Sequence, residues 1–263
     1  MRALLGLSAW LIYVFLLAPI VVIVGASFTA GNFIVFPPAG LSLRWYGTAL
    51  SDPGFRDSLW LSLVEALIVA GLTLVLVIPA VIGTARRRFA GSAALVSFYQ
   101  MPLTIPRVVL AAALLGFFAA IGLRGSLTAL VLAHTIIACP LAFWILQAGF
   151  AEQSIQLERA AIVLGARPLK AFLSITLRLA LPAVVAAGMF AFIAAFDDVP
   201  IALFLSSPTL VTLPVRIYNF VDQSLTPVVV AASSLLIFIV CAVVAVVDRT
   251  VGLARAFGVK ETR

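Results

Sequence analysis

Six apolar runs, each too long and too uniformly apolar for the core of a small soluble domain, constrain this chain more than any other feature. Residues 4–26, "LLGLSAWLIYVFLLAPIVVIVGA", carry no charge, and residues 226–247, "TPVVVAASSLLIFIVCAVVAVV", repeat the pattern near the other end. A hydrocarbon layer about 30 Å thick needs roughly 20 apolar residues to be crossed as a helix, because backbone polar groups must be satisfied within the segment. Membrane spans are therefore expected at about residues 7–28, 60–85, 94–121, 126–150, 182–205 and 226–247. Only 10% of the 263 residues are charged and the mean hydropathy is +1.23, which excludes an ordinary soluble domain. The expected fold class is an all-α membrane protein with six transmembrane helices. The first run exceeds the core of a secretory signal, so Arg2 and the small residues of "GASFTAG" are read as the flanks of an uncleaved anchor.

Basic residues give the orientation. With the spans so placed, 12 of the 17 Lys and Arg residues lie on the side of the N-terminus, including Arg86, Arg87, Arg88, Arg159 and Arg167. Arg44, Arg56, Arg124 and Arg216 lie on the other side, and Arg107 falls inside a span. That excess puts both termini in the cytoplasm. It also accounts for the net charge of +7 without a nucleic-acid partner. Cys139 and Cys241 lie within spans, far apart in sequence, and suit apolar packing rather than a disulfide framework or a metal site.

The longest connection on the cytoplasmic side, residues 151–181, reads as structured. Glu158, Ala161 and Gly165 recur at i, i+3 and i+7 and share one face of a short helix, narrow enough for another backbone to approach. Gly165 followed by Pro168 is a helix stop and restart. The second helix has Lys170, Ser174 and Arg178 on a polar stripe, with Leu169, Phe172, Leu173 and Thr176 on the other side. A surface helix at lipid headgroups would show that second pattern as well.

"RAAIVLGARPLKAFLSITLRLALP", residues 159–182, resembles the signature of permease subunits of binding-protein-dependent ABC importers: Glu-Ala-Ala, three residues, Gly, nine residues, Ile-x-Leu-Pro. Ala160, Ala161, Gly165, Ile175 and Leu177 match in register. Arg159 stands at the glutamate position with Glu158 one residue early, and Arg178 stands at the proline position. "AFIAAFDDVPIALFLSSPTLVTLPVRIYNFV", residues 191–221, resembles the fifth span and following external loop of spermidine/putrescine-type permeases, and "AHTIIACPLAFW", residues 133–144, their fourth span. The resemblance implies the type I importer fold, a bacterial inner-membrane location, and a cytoplasmic coupling helix that docks on an ATPase. It further implies two ATPase subunits, a second permease subunit in a heterodimer, and an extracytoplasmic solute-binding protein. This chain has no Gly-Lys-Ser/Thr phosphate loop, since Lys170 and Lys260 follow Leu169 and Val259, so ATP and Mg are expected on the partner ATPase and no cofactor on this chain. The chain itself is expected to be non-catalytic.

Ionisable groups inside a bilayer cost about 2.5 to 3.5 kcal/mol each on insertion scales, so they face protein or a water-filled cavity. Glu65, Arg107, His134, Asp197 and Asp198 fall within or near the spans at similar depth, and together they are candidates for lining a translocation path. Each has a second reading. Asp197 and Asp198 suit backbone hydrogen bonding where Pro200 breaks the helix, His134 an interhelical hydrogen bond, Glu65 the headgroup region, and Arg107, after "MPLTIP", an acidic neighbour. The solute is open at this stage: polyamine-type relatives tend to carry an acidic residue near this Pro-rich turn, whereas an arginine suits an anionic or zwitterionic amino acid, opine or phosphonate.

By sequence the chain divides into an N-terminal span and external loop (1–57), a transporter core (58–248) and a basic cytoplasmic tail (249–263). "TLPVRIYNFVDQSLTP", residues 212–227, is an external loop expected to meet the solute-binding protein, or else to lie at the membrane interface. The alternative to an ABC permease is an ion-driven secondary transporter, which would favour inverted repeats with matching broken helices.

Overall fold

The computed structural model describes residues 2–86, 90–151, 153–223 and 226–251. Arg87, Arg88 and the tail from residue 252 onward, including Lys260, therefore lie outside the described residues. Within them the chain is helical: α1 (Arg2–Ser27), α2 (Arg44–Ser51), α3 (Pro53–Arg86), α4 (Ser92–Gln100), α5 (Arg107–Ala120), α6 (Leu127–Ala151), α7 (Ile155–Val163), α8 (Pro168–Ala171), α9 (Leu177–Leu179), α10 (Leu181–Phe196), α11 (Pro200–Leu205), α12 (Leu213–Gln223) and α13 (Pro227–Val251). Four of these, in α1, α3, α6 and α13, are long and apolar enough to cross a membrane, and two bent pairs bring the number to six if each pair is one span.

The third span is not the continuous helix expected over 94–121. α4 and a 3-10 turn at Met101–Thr104 meet α5 at 106°. The cause is Pro106: the residue before a proline is pushed out of the helical region, and Ile105 is extended at φ −95, ψ 128. The fifth span also differs from the single run expected over 182–205. α10 ends at Phe196, three residues intervene, and α11 restarts at Pro200.

By contacts the chain falls into two units: Met1–Trp60 with Thr212–Val240, and Leu61–Val211 with Cys241–Arg263. The sequence-based division grouped residues 212–240 with the core. They join the N-terminal unit because Leu213 and Ala232 bury against Phe55, with Leu59, Ile217 and Phe220 around them. In the same unit the Tyr46 hydroxyl lies 2.6 Å from Ser27 Oγ and 2.6 Å from Ser234 Oγ, joining α1, α2 and α13. Arg216 of α12 donates from Nε to Ser58 Oγ at 2.7 Å, and its guanidinium lies so close to Gly54 that a Cβ there would collide with it.

The second unit is built on α6, most of whose residues from Ala129 to Phe150 are buried, including Phe143 and Leu146. Its neighbours α3 and α10 contribute Val77, Val81, Ala186 and Ala187 to one core cluster. Small residues set the spacing, as expected for helices packing where lipid supplies no hydrophobic driving force. Gly149 of α6 faces Ala183 of α10 so closely that a Cβ at 149 would collide with it.

Candidate functional site

Two places in the second unit carry the sequence-derived candidates: a buried charge cluster and the connection after α6.

The cluster draws one group from each of four segments. Glu65 comes from α3, His134 from α6, Arg107 from the first residue of α5, and Asp198 from the gap between α10 and α11. His134 Nδ1 lies 2.6 Å from Glu65 Oε1, and His134 Nε2 lies 3.6 Å from Asp198 Oδ2. Arg107 donates from Nη1 to Asp198 Oδ1 at 2.9 Å. The other Asp198 oxygen accepts the Ile201 N–H at 2.7 Å, satisfying a donor in the first turn of α11. One carboxylate thus ties together the restart of the fifth span, the restart of the third and the centre of the fourth.

The second readings of several residues are what the geometry displays. Asp198 does hydrogen-bond backbone at the break, His134 does bridge helices, and Arg107 does pair with an acidic neighbour. Glu65 does not reach a headgroup region: its side chain, like those of His134 and Asp198, has no accessible surface. The five candidates therefore differ in what a solute could touch. Arg107 is 58% exposed and Asp197 is exposed, while the other three are sealed beneath them. The Asp197 carboxylate makes no hydrogen bond or ion pair among the described residues.

In the connection, Ser154 caps α7 by accepting the Gln156 N–H at 3.3 Å. The far end is a Schellman closure, with Gly165 N–H bonded to Ile162 O at 2.9 Å and Ala166 N–H to Ala161 O at 3.0 Å. That closure needs a left-handed residue, and Gly165 supplies it at φ +93. The side-chain packing differs from the expected docking face of Glu158, Ala161 and Gly165. Glu158 accepts a hydrogen bond from Thr176 Oγ1 in the returning segment, so Glu158 and Ala161 are half-buried against this chain. Around Gly165 a Cβ would meet open space, so its need is conformational and not one of close approach within the chain. Gln156, Arg159, Ala160 and Val163, at i, i+3, i+4 and i+7, share one exposed face, and Ile155, Leu157 and Ile162 are exposed beside it. Ile175 is half-buried and lies in the five-residue π-helical stretch Phe172–Thr176, and half-buried Leu177 begins α9.

Sequence reasoning missed the cavity at the root of this connection. It measures about 460 Å³ and is lined by Ile82, Gln147, Phe150, Gln153, Ile175 and Thr176, among others. Gln153 Oε1 is buried beside it without a hydrogen-bond partner. No sequence signal marks it, because its lining comes from three separate stretches.

Residues 76–253 match the family model described as the binding-protein-dependent transport system inner membrane component. The chain belongs to that family.

Among curated relatives, this permease is 33% identical over 233 residues to the putrescine transport system permease protein PotI of Escherichia coli (strain K12), covering 86% of this chain and 82% of the relative. It is 28% identical to the spermidine/putrescine transport system permease protein PotC of Haemophilus influenzae, over 89% of this chain and 91% of that one. It is also 31% identical to the sulfoquinovosyl glycerol transport system permease protein SmoH of Agrobacterium fabrum, over 86% and 81%. The permease shares its fold with a chain of a bacterial ABC transporter involved in the import of the acidic polysaccharide alginate, at TM-score 0.73 and 18% identity over 95% of this chain and 96% of that one. A second alginate ABC transporter structure, in complex with a pentasaccharide-bound periplasmic protein, matches at TM-score 0.64 and 15% identity, over 97% and 93%. The all-α, type I importer permease fold expected from sequence is the fold observed, and the secondary-transporter alternative is not favoured. The permease is a multi-pass inner-membrane protein of a transport system that depends on a solute-binding protein.

Proposed function

We propose that this permease forms the path for a small polycationic solute of the polyamine type, coupled to ATP hydrolysis on two partner ATPase subunits through α7. A second, different permease subunit completes the path, both termini face the cytoplasm, and ATP and Mg stay with the ATPase. The observation that carries the solute class is the inequality between Arg107 and Asp197. Arg107, which in isolation suits an anion, is held by Asp198 at 2.9 Å. Asp197 is exposed and makes no hydrogen bond or salt bridge among the described residues, so the accessible charge at this level that no salt bridge engages is negative. An unpaired carboxylate facing hydrocarbon is costly, so its exposed surface belongs against water or another protein chain. In this reading Arg107 and Asp197 line the path, and Glu65, His134 and Asp198 hold Arg107 in place from behind. The putrescine- and spermidine-transporting names of relatives at 33% and 28% identity support the same class. The sulfoquinovosyl glycerol relative supplies the opposing anionic solute for the test.

The test is ATPase activity of the complete importer in lipid with its binding protein. Putrescine and spermidine are expected to stimulate hydrolysis, and Asp197→Asn to lower that stimulation while basal hydrolysis persists. Stimulation by sulfonated or carboxylated solutes in place of polyamines would overturn the cationic reading.

A further inference from the structure

We infer that the ATPase cleft receiving α7 is acidic where Arg159 enters it, so that the permease supplies the positive member of this contact. The inference rests on the reading of α7 as the coupling helix and adds the chemistry of its partner surface. The first observation is the disposition of charge. Glu158, the single acidic residue between positions 153 and 180, is turned inward and accepts the Thr176 hydroxyl. Arg159, Arg167, Lys170 and Arg178 in the same stretch are all exposed, and Arg159 has no hydrogen-bond or ion-pair partner among the described residues. Among the described residues of the connection, with Glu152 outside them, the fully outward charges are therefore positive.

The second observation is where the apolar surface lies. Val163 is 86% exposed and Leu164 is 89% exposed. Arg159 sits one turn before Val163 on the same face, with Ala160 beside it. A fully exposed valine and leucine at the tip of a capped helix need an apolar seat, and the small Ala160 lets a cleft wall come near. A cleft that accepts Val163 and Leu164 brings Arg159 onto its rim, where burial without a counter-charge would be penalised. Electrostatic complementarity then requires a carboxylate there. The same basic surface would also suit anionic lipid headgroups, but a protein cleft accounts for the capped Val163–Leu164 tip and for Arg159 together.

The test uses the full permease with the ATPase subunit of its own importer in nanodiscs. Val163→Cys in a Cys241→Ser background reports whether α7 enters the ATPase at all, by cross-linking to single cysteines placed around its cleft. Arg159→Glu is expected to weaken ATPase capture about tenfold at moderate salt, equally in zwitterionic and anionic-lipid discs. Changing one cleft carboxylate of the ATPase to lysine should restore the capture lost in Arg159→Glu. Cross-linking at 163 with no weakening in Arg159→Glu overturns the charge assignment and leaves the coupling reading standing. So does weakening confined to anionic-lipid discs, which assigns the arginine to headgroups, and so does failure of every carboxylate reversal to restore capture. Absence of cross-linking at 163 overturns both.

Discussion

The guanidinium of Arg107 and the carboxylate of Asp198 meet at 2.9 Å, each at the restart of a broken span. The Asp198 side chain is fully buried, and it also faces His134 and accepts the Ile201 N–H. Removing it strands Arg107 and the Ile201 N–H and takes the nearest carboxylate from His134 Nε2. Taking away one member of a buried pair costs about 3 to 5 kcal/mol, and the 58% exposure of Arg107 puts Asp198→Ala at the lower end, about 3 kcal/mol. Thermal unfolding of the purified permease in detergent should show that loss. A double-mutant cycle with Arg107→Met should show a coupling of roughly 0.5 to 3 kcal/mol; strict additivity would mean that the pair holds nothing.

How much of this cluster was legible in the sequence follows from which forces act locally. The similar depth of Glu65, Arg107, His134, Asp197 and Asp198 could be read from span positions, because helical rise converts sequence distance into depth. Which of them turn inward could not, since that depends on helix rotation set by contacts between segments up to 91 residues apart. The stop at Gly165 was equally legible, because a left-handed cap is a local backbone event. The inward turn of Glu158 was not: it depends on Thr176, which a π-helical stretch brings round to meet it. The break at Pro106 lay within sight in "MPLTIP", but its 106° angle is set by packing of the two arms.

Glu65 and His134 should behave as a unit. Both side chains are wholly buried and meet at 2.6 Å, and Glu65 Oε2 has no hydrogen-bond partner. His134→Leu leaves the Glu65 carboxyl without its main partner and should destabilise by about 3 to 5 kcal/mol. The double variant Glu65→Leu/His134→Leu removes both polar groups and should recover part of that, as replacing a buried ion pair by apolar residues often does, although Asp198 still loses its His134 neighbour. The comparison of melting temperatures decides it, and a double variant worse than either single one would refute the pairing.

Gly165→Ala should act on the connection and leave the core alone. At φ +93 an L side chain is strained by about 1 to 2 kcal/mol, although a Cβ there would meet open space. The strain falls on the Schellman closure, where the Gly165 and Ala166 N–H groups bond back into α7. Hydrogen exchange should rise about tenfold in residues 162–166, matching about 1.4 kcal/mol, with the melting temperature of the permease nearly unchanged. Loss of global stability would instead place this glycine in the core's folding unit.

Tyr46 offers a finer test in the N-terminal unit. Its hydroxyl lies 2.6 Å from both Ser27 Oγ and Ser234 Oγ, while Ser27 also points at Val24 O at 2.6 Å and Ser234 at Ala231 O at 2.8 Å. Three hydroxyls carry three protons, so these four contacts cannot all be hydrogen bonds at once. Tyr46→Phe therefore leaves each serine a carbonyl of its own helix to donate to, and no donor is orphaned. The expected cost is about 1 kcal/mol, the net value of an ordinary hydrogen bond rather than the larger penalty of an unsatisfied buried group. Tyr46→Ala removes the ring as well, which packs on Phe28 at a centroid distance of 5.4 Å, and should cost about 3 to 5 kcal/mol. Thermal unfolding of the two variants side by side separates the contributions: a Phe variant as damaging as the Ala variant would mean that the hydroxyl, not the ring, holds α2 to α1 and α13.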